Sequence, residues 1–250
     1  MACPHLLLSP TSPLIAVPLV ASDDAAALRQ AVAIRAHDPA PDLVELRADY
    51  LAGYGAEQTR RLLGELTGIL GDIPILYTHR GAAESGAGDW DAAERRACME
   101  AAVASGQIAW MDVELATEAA TRMEIIAAAR QHGVQAIISA HDFSGTPDAA
   151  TLDALFAALV AAGSDAAKLA VTAQTPDDVL RLLAATARAA ATTTTPLISM
   201  AMGQMGMITR LAGPLYGSSL TFATIGPASA PGQLPLSLVR DFWRHAGIRA

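Results

Sequence analysis

Short apolar runs recur along the chain about every 30 residues, and stretches rich in alanine, leucine and arginine with helical periodicity separate them. The apolar runs predict eight strands, at residues 14–19, 42–47, 74–79, 108–114, 134–140, 166–171, 196–201 and 219–223. The stretches that follow predict eight helices, near residues 23–35, 57–69, 89–104, 118–132, 148–161, 176–190, 205–211 and 235–245. Strand and helix therefore alternate from one end of the chain to the other.

Eight strand–helix units without a linker or a break in composition predict one domain over residues 1–250, an α/β fold of the (β/α)8 TIM-barrel class. The main alternative is an open, doubly wound sheet. No glycine-rich phosphate-binding motif follows the first strand, which disfavours it. Ser22 is the expected N-cap of the first helix, and Thr175 followed by Pro176 is a typical start for the sixth.

The composition narrows the function class. Hydrophobic residues make up 52% of the chain, but much of this is alanine, and no apolar run reaches the roughly 18–20 residues that span a membrane. Residues 14–21 lack the basic flank of a signal peptide, so we expect a soluble cytoplasmic protein with no membrane partner. The net charge of −8 argues against nucleic acid, and Cys3 and Cys98 show no metal-ligand spacing. We therefore expect no metal, and local arginines must hold any anionic substrate.

Lys168 is the only lysine among the 17 basic residues of the chain. It lies within a predicted buried strand, where its neighbours Ala166 and Ala170 share its face and leave room beside the amine. A desolvated lysine amine can condense with a carbonyl, whereas a guanidinium stays protonated and is a poor nucleophile. The alternative is a lysine that reaches solvent from the end of a strand.

Polar side chains follow several predicted strands at their carboxyl ends, where the active sites of parallel barrels lie. Glu45 and Arg47 share one face of the second strand, and Arg80 follows the third. His141 follows the fifth strand and is the leading candidate for a general acid and base. His79 competes with it, but faces the helices if Arg80 faces the barrel mouth, so we predict a structural role for His79.

Two later segments carry less specific signals. Residues 200–207 contain four methionines, a pattern typical of core filling. Residues 227–234 are rich in small residues, glycine and proline, which suits an ordinary loop or an active-site lid with Ser229 and Gln233 at its tip. Glu84, in the loop after the third strand, either orients an imidazole or is a solvated loop carboxylate, and its spacing alone favours the second interpretation.

Taken together, these segments resemble the type I 3-dehydroquinate dehydratases. The motifs that carry the resemblance are Glu45-Leu46-Arg47-Ala48-Asp49, Thr78-His79-Arg80 with Glu84, Ser139-Ala140-His141-Asp142-Phe143, Lys168, Met202-Gly203 with Arg210, Gly217-Ser218, and Ser229-Ala230-Pro231-Gly232-Gln233. Each motif alone is weak. Their order and spacing, from about residue 14 to the last helix, are specific.

The resemblance implies a (β/α)8 barrel, usually a homodimer, that removes water from 3-dehydroquinate without a metal or organic cofactor. This reaction belongs to the shikimate pathway, which leads to chorismate and the aromatic amino acids. By position, Lys168 resembles the Schiff-base lysine, His141 the general acid and base, and Glu84 the carboxylate that supports it. The expected substrate-binding residues are Glu45, Arg47 and Arg80 for the ring hydroxyls, and Arg210, Ser229 and Gln233 for the carboxylate.

The chain departs from the family pattern in three places. His79 stands where the family more often has an aromatic residue, and the glycine pair after Glu84 is spread over residues 85–88. Thr209 replaces a serine before Arg210 but keeps the hydroxyl. The remaining alternatives are another Schiff-base barrel lyase of the class I aldolase type, and a non-catalytic barrel that serves as a binding module.

Overall fold

A computed structural model describes residues 7–51, 53–226 and 230–248. Within these residues the strands are β1 (Leu14–Leu19), β2 (Leu43–Arg47), β3 (Ile75–Thr78), β4 (Trp110–Glu114), β5 (Gln135–His141), β6 (Ala166–Thr172), β7 (Leu197–Met202), β8 (Leu220–Thr224) and β9 (Leu234–Pro235). The helices are α1 (Asp24–Arg35), α2 (Ala56–Leu70), α3 (Ala92–Ala104), α4 (Ala119–Gln131), α5 (Ala149–Ala161), α6 (Pro176–Ala190), α7 (Met207–Ala212) and α8 (Leu236–His245).

The strands of the described residues follow the order β7-β6-β5-β4-β3-β2-β1-β8-β9 in one sheet. The assigned strand pairs are parallel. A helix follows each of the first seven strands before the next strand begins, and α8 follows β9. The predicted α/β fold of the TIM-barrel class is therefore confirmed. None of the described helices is both long enough and apolar enough to cross a membrane.

The contacts within the chain divide it into two compact units. The first unit covers residues 17–137, where β3 pairs with both β2 and β4 and helices α1 to α4 pack in chain order. Most of its buried strand side chains are apolar, and Leu76 and Tyr77 of β3 are fully buried. The side chains at the ends of β2, β3 and β4 belong to this unit.

The second unit covers residues 7–16 and 138–250. In it, β6 pairs with β7 so that Lys168 lies opposite Ile198, and β1 pairs with β8. A parallel bridge between Leu197 and Ser218 also joins β7 to the residues before β8. The segment that carries Lys168 is therefore a buried interior strand, as predicted.

Local sequence explains where most helices begin. Thr175 accepts a hydrogen bond from the Asp178 amide, and Pro176 is the first residue of α6, as predicted. The predicted cap of α1 is wrong by one residue: Asp23, not Ser22, accepts the hydrogen bond from the Ala26 amide. A carboxylate at this position also interacts favourably with the helix dipole.

Candidate active site

In the first unit, Arg80 lies at the centre of a buried cluster of charges. Its Nη2 lies 2.9 Å from Asp112 Oδ1, and its Nη1 lies 3.3 Å from Glu84 Oε2 and 3.4 Å from Glu114 Oε1. Burial lowers the pKa of the Arg80 guanidinium, but the three carboxylates outweigh burial and raise it. The arginine is therefore held as a fixed cation with donors directed at the ends of β3 and β4.

Glu84 is buried, with 8% of its surface exposed, so it is not a solvated loop carboxylate. It ends a short 3-10 turn, residues Ala82–Glu84, and Ser85 after it adopts a left-handed conformation. Gly86 then folds back so tightly that a Cβ atom there would lie 2.1 Å from the Arg80 carbonyl oxygen. The spread glycines thus still allow the turn that buries the Glu84 carboxylate beside Arg80.

Glu45 and Arg47 lie on β2 as predicted, but each already has a partner in the protein. Thr78 Oγ1 donates a hydrogen bond of 2.9 Å to Glu45 Oε1. Asp49, which is fully buried, accepts from both Nε and Nη2 of Arg47 at 2.8 Å, and the Arg47 guanidinium lies over the Tyr50 ring. This bidentate pairing fixes the plane of the Arg47 guanidinium.

In the second unit, Lys168 is buried, with 4% of its surface exposed, and does not reach solvent from a strand end. Its Nζ lies 4.7 Å from the centroid of the Phe222 ring on β8. An aromatic face at this distance stabilises a cation, either an ammonium or a protonated imine. Sequence reasoning did not select Phe222, because it contacts a lysine that lies 54 residues earlier in the chain.

His141 is the last residue of β5, and the turn after it is well fixed. The Asp142 amide donates to the Ala170 carbonyl at 2.8 Å, which places the end of β5 beside β6. Burial raises the pKa of Asp142, but hydrogen bonds from Ser144 and Gly145 outweigh burial and lower it. His141 and Lys168 are therefore carried on neighbouring strands, and the Phe143 ring stacks near the His141 ring with centroids 6.1 Å apart.

Arg210, on α7, is a buried arginine with only 1% of its surface exposed. No carboxylate pairs with it among the described residues, and its closest acceptors are the Phe222 carbonyl, Met200 Sδ and the Pro231 carbonyl at 3.4–3.5 Å. Burial alone lowers its pKa to about 10. Burying a cation without an acidic partner is costly.

Thr209 explains how Arg210 is held in place. Its hydroxyl accepts a hydrogen bond from the Ala201 amide at 2.9 Å and donates to the Gly206 carbonyl at 2.7 Å. These bonds tie the start of α7 to β7. Thr209 therefore uses the hydroxyl that it has in common with serine, and the residue, including its additional methyl group, is buried.

The segment 227–234 is described only in part, because residues 227–229, which include Ser229, lie outside the described residues. Its remaining residues lie against the second unit: the Gly203 amide donates to the Pro231 carbonyl at 3.2 Å. A Cβ atom on Gly232 would lie 2.3 Å from the Gly203 carbonyl oxygen, so glycine is needed for this approach. Gln233 precedes β9.

His79 is buried in an apolar and aromatic environment in the first unit. Its ring lies 4.6 Å from the Trp90 ring in an edge-to-face arrangement, and neither ring nitrogen has a hydrogen-bond partner within the described residues. Burial, and after it the charge of Arg95, lowers the pKa of His79 to about 4. The predicted structural role of this histidine fits that environment.

This burial predicts that His79 weakens the protein in acid. Between pH 6.5 and about pH 4 the unfolded chain binds a proton at His79 that the folded protein does not. The free energy of unfolding should therefore fall by up to about 1.4 kcal/mol for each pH unit below 6.5. His79→Phe should remove this part of the slope, which denaturant unfolding at pH 7 and pH 5 measures. Equal losses of stability in the two proteins would contradict the assignment.

Side chains at the end of β4 were missed from the sequence. Asp112 and Glu114 alternate on this strand and so share a face, as Glu45 and Arg47 do on β2. The same argument from strand ends would have found them. Arg95 on α3, which contacts Glu114, carried no such signal because it lies within an ordinary charged helix.

The chain is similar over nearly its whole length to one family of known proteins. A family model described as type I 3-dehydroquinase matches residues 15–249. The 3-dehydroquinate dehydratase of Geobacillus kaustophilus is 42% identical over 238 residues, which cover 92% of this chain and 89% of that protein. That of Aromatoleum aromaticum is 39% identical over 230 residues, which cover 91% and 88%.

Solved structures give the same result. The crystal structure of 3-dehydroquinate dehydratase from G. kaustophilus matches with a TM-score of 0.91 and 37% identity, and covers 98% of each chain. The type I enzyme from Clostridium difficile, solved with covalently modified comenic acid, matches with a TM-score of 0.89 and 29% identity, covering 94% of this chain and 92% of that one.

Proposed function

Because this chain belongs to the type I 3-dehydroquinase family, we propose that Lys168 and His141 carry out the reaction of that family. The chain is a hydro-lyase that removes water from 3-dehydroquinate to give 3-dehydroshikimate, a step of the shikimate pathway. The mechanism of this family passes through a Schiff base. Membership of the family excludes the two alternatives, a lyase of the class I aldolase type and a non-catalytic binding module.

One observation carries the assignment of residues. Lys168 Nζ lies over the Phe222 ring, and the Phe222 carbonyl oxygen lies 3.4 Å from Arg210 Nη1. A buried primary amine thus meets, at one residue, a buried guanidinium that has no acidic partner among the described residues. They match a substrate that presents a ketone and a carboxylate, since an amine condenses with the first and an arginine binds the second.

The proposed reaction begins when the Lys168 amine adds to the substrate ketone and water leaves, which forms a protonated imine. His141 then takes the proton from the carbon beside the imine carbon, because the imine accepts the electron pair. The resulting imidazolium returns a proton to the departing hydroxyl, which leaves as water. Hydrolysis of the imine releases the conjugated enone and restores the amine. The Phe222 ring supports the cationic stages of this cycle.

The remaining roles are also proposals, and they rest on the family resemblance. Glu84 orients His141, and Glu45, Arg47 and Arg80 hold the ring hydroxyls. Ser229 and Gln233 join Arg210 at the carboxylate, on a lid formed by residues 227–234 that closes over the imine. The same proposal includes assembly as a homodimer and a cytoplasmic location. It also includes one catalytic domain over residues 1–250 and a reaction that needs no metal or organic cofactor.

The function and the carboxylate site can be tested together. On addition of 3-dehydroquinate, the wild-type protein should produce the ultraviolet absorbance of a conjugated enone. Arg210→Met should raise KM by about 100-fold, because one or two charge-assisted hydrogen bonds to the carboxylate are lost. Its melting temperature should not fall, because the substitution removes a buried charge for which the described part of the chain offers no acidic partner, and so relieves a desolvation cost.

Gln233→Ala is the matched variant for this test. It removes one neutral hydrogen-bonding group and leaves the charge, so its KM should rise by about tenfold. No enone from the wild-type protein would refute the function. Wild-type activity with an unchanged KM in Arg210→Met would refute only the role of Arg210.

A further inference from the structure

The backbone on both sides of Arg80 is held by two side chains that the reaction itself does not use. Arg95 Nη2 donates a hydrogen bond of 2.8 Å to the carbonyl of His79, the residue before Arg80. The amide of Gly81, the residue after Arg80, donates a bond of 2.7 Å to Glu114 Oε1. Both bonds lie outside the strand ladder, so they fix Arg80 where β3 has already ended.

Arg95 and Glu114 also hold each other. Arg95 Nη2 lies 3.0 Å from Glu114 Oε2, and the two side chains are 21% and 9% exposed. Gly81 makes room for this pair, because a Cβ atom there would lie 2.7 Å from Arg95 Nη1 and 2.9 Å from Glu114 Oε2. A partly buried ion pair thus joins α3 to the end of β4, and it contacts the residues on either side of Arg80.

The same backbone also sets the position of Glu84. The Gly81 carbonyl accepts hydrogen bonds from the Glu84 amide at 3.0 Å and from the Gly86 amide at 2.9 Å. The 3-10 turn that ends at Glu84 is therefore built on Gly81. A shift of the Gly81 peptide moves both the Arg80 guanidinium and the Glu84 carboxylate, which lie 3.3 Å apart.

We propose that Arg95 and Glu114 act as a positioning pair, which fixes the backbone of residues 79–81 and thereby the placement of Arg80 and Glu84 toward the substrate. This inference rests on the proposed function, since that function gives Arg80 and Glu84 their roles. Arg95 touches neither the substrate nor a reacting atom in this account. The pair acts through two hydrogen-bonded backbone groups, the His79 carbonyl bound by Arg95 and the Gly81 amide bound by Glu114. A displacement of about 1 Å in such a group is enough to reduce catalysis strongly.

Arg95→Met tests the pair, because methionine keeps an unbranched side chain but loses both the charge and the donors. We expect KM to rise by about tenfold or more, with a smaller fall in kcat, since Arg80 holds the substrate before and during reaction. Arg95→Lys keeps the charge but offers less rigid donors, so its KM should lie between those of the wild type and Arg95→Met.

Arg96→Met is the matched control. Arg96 follows Arg95 on α3 and forms ion pairs with Glu100 and Glu124, but its side chain is 40% exposed. It forms no hydrogen bond or ion pair with residues 79–81 in the described structure. Its KM should stay within about twofold of the wild type. In an Arg80→Lys background, Arg95→Met should raise KM by less than about threefold, because it acts through Arg80.

Hydrogen exchange supplies a readout that does not depend on activity. The Gly81 amide should lose protection in Arg95→Met and keep it in Arg96→Met. Any of three results would overturn the positioning role. Arg95→Met could have the same KM as Arg96→Met, or it could raise KM equally in the wild-type and Arg80→Lys backgrounds. The third result is a Gly81 exchange rate that does not change in Arg95→Met. A wild-type protein without dehydratase activity would instead refute the proposed function, and the exchange rate would still decide whether the pair holds Gly81.

Discussion

Lys168→Arg is expected to abolish turnover while the protein stays folded. The substitution keeps a cation over the Phe222 ring, but a guanidinium does not condense with a ketone. Wild-type protein treated with 3-dehydroquinate and borohydride should be inactivated and gain the mass of one reduced ligand. Lys168→Arg should gain none. Circular dichroism and thermal unfolding show whether the fold is retained.

The single lysine makes this experiment unusually clear, because the only other amine is the N-terminus. Arg35→Lys is a suitable control, since it adds an exposed lysine beside Asp72 without changing the buried amine. Peptide mapping of that variant should still place the adduct on Lys168 alone. An adduct on the N-terminus or on the introduced lysine, or an active wild-type protein that cannot be trapped, would exclude Lys168 as the nucleophile.

His141→Ala is expected to separate proton transfer from imine formation. The variant should still be trapped by borohydride, because the Lys168 amine remains, but its kcat should fall by at least about 10²-fold. The residue ends β5, and the Asp142 turn after it stays intact when only the imidazole is removed. Single-turnover measurements of trapping and of enone formation distinguish the two steps.

His79→Phe is the matched histidine variant for this experiment. The ring of His79 packs against Trp90, and phenylalanine can keep that aromatic contact. Its kcat at neutral pH should stay close to that of the wild type. If His79→Phe loses turnover and His141→Ala does not, the general acid and base has been assigned to the wrong histidine.

The periodicity of the sequence determined most of the fold. Apolar runs about 30 residues apart located eight strands, because a parallel strand that is covered on both faces is mostly apolar. Strand β1 has the predicted bounds, and the ends of the other strands differ from the predicted ones by at most two residues. The two-residue strand β9 was missed, since two residues have no period, and the 3-10 turn at Ala82–Glu84 was missed because it depends on the Gly81 carbonyl.

The sequence also selected many side chains of the candidate site, for reasons that are local. A lone lysine within an apolar strand and polar residues at strand ends are visible without a structure. Glu45 and Arg47 lie two residues apart on β2 and so share a face, as Asp112 and Glu114 do on β4. Strand periodicity therefore placed the first pair and contained the information for the second.

Only the tertiary structure decided which of these groups are paired, buried or held. Phe222 meets Lys168, and Arg210 lacks an acidic partner among the described residues, because of packing between elements distant in sequence. Arg95 looks like any charged residue of an exposed helix until its donor is found 2.8 Å from the His79 carbonyl. Pattern and propensity act over a few neighbouring residues, whereas desolvation and the supply of hydrogen-bond partners depend on the whole folded environment.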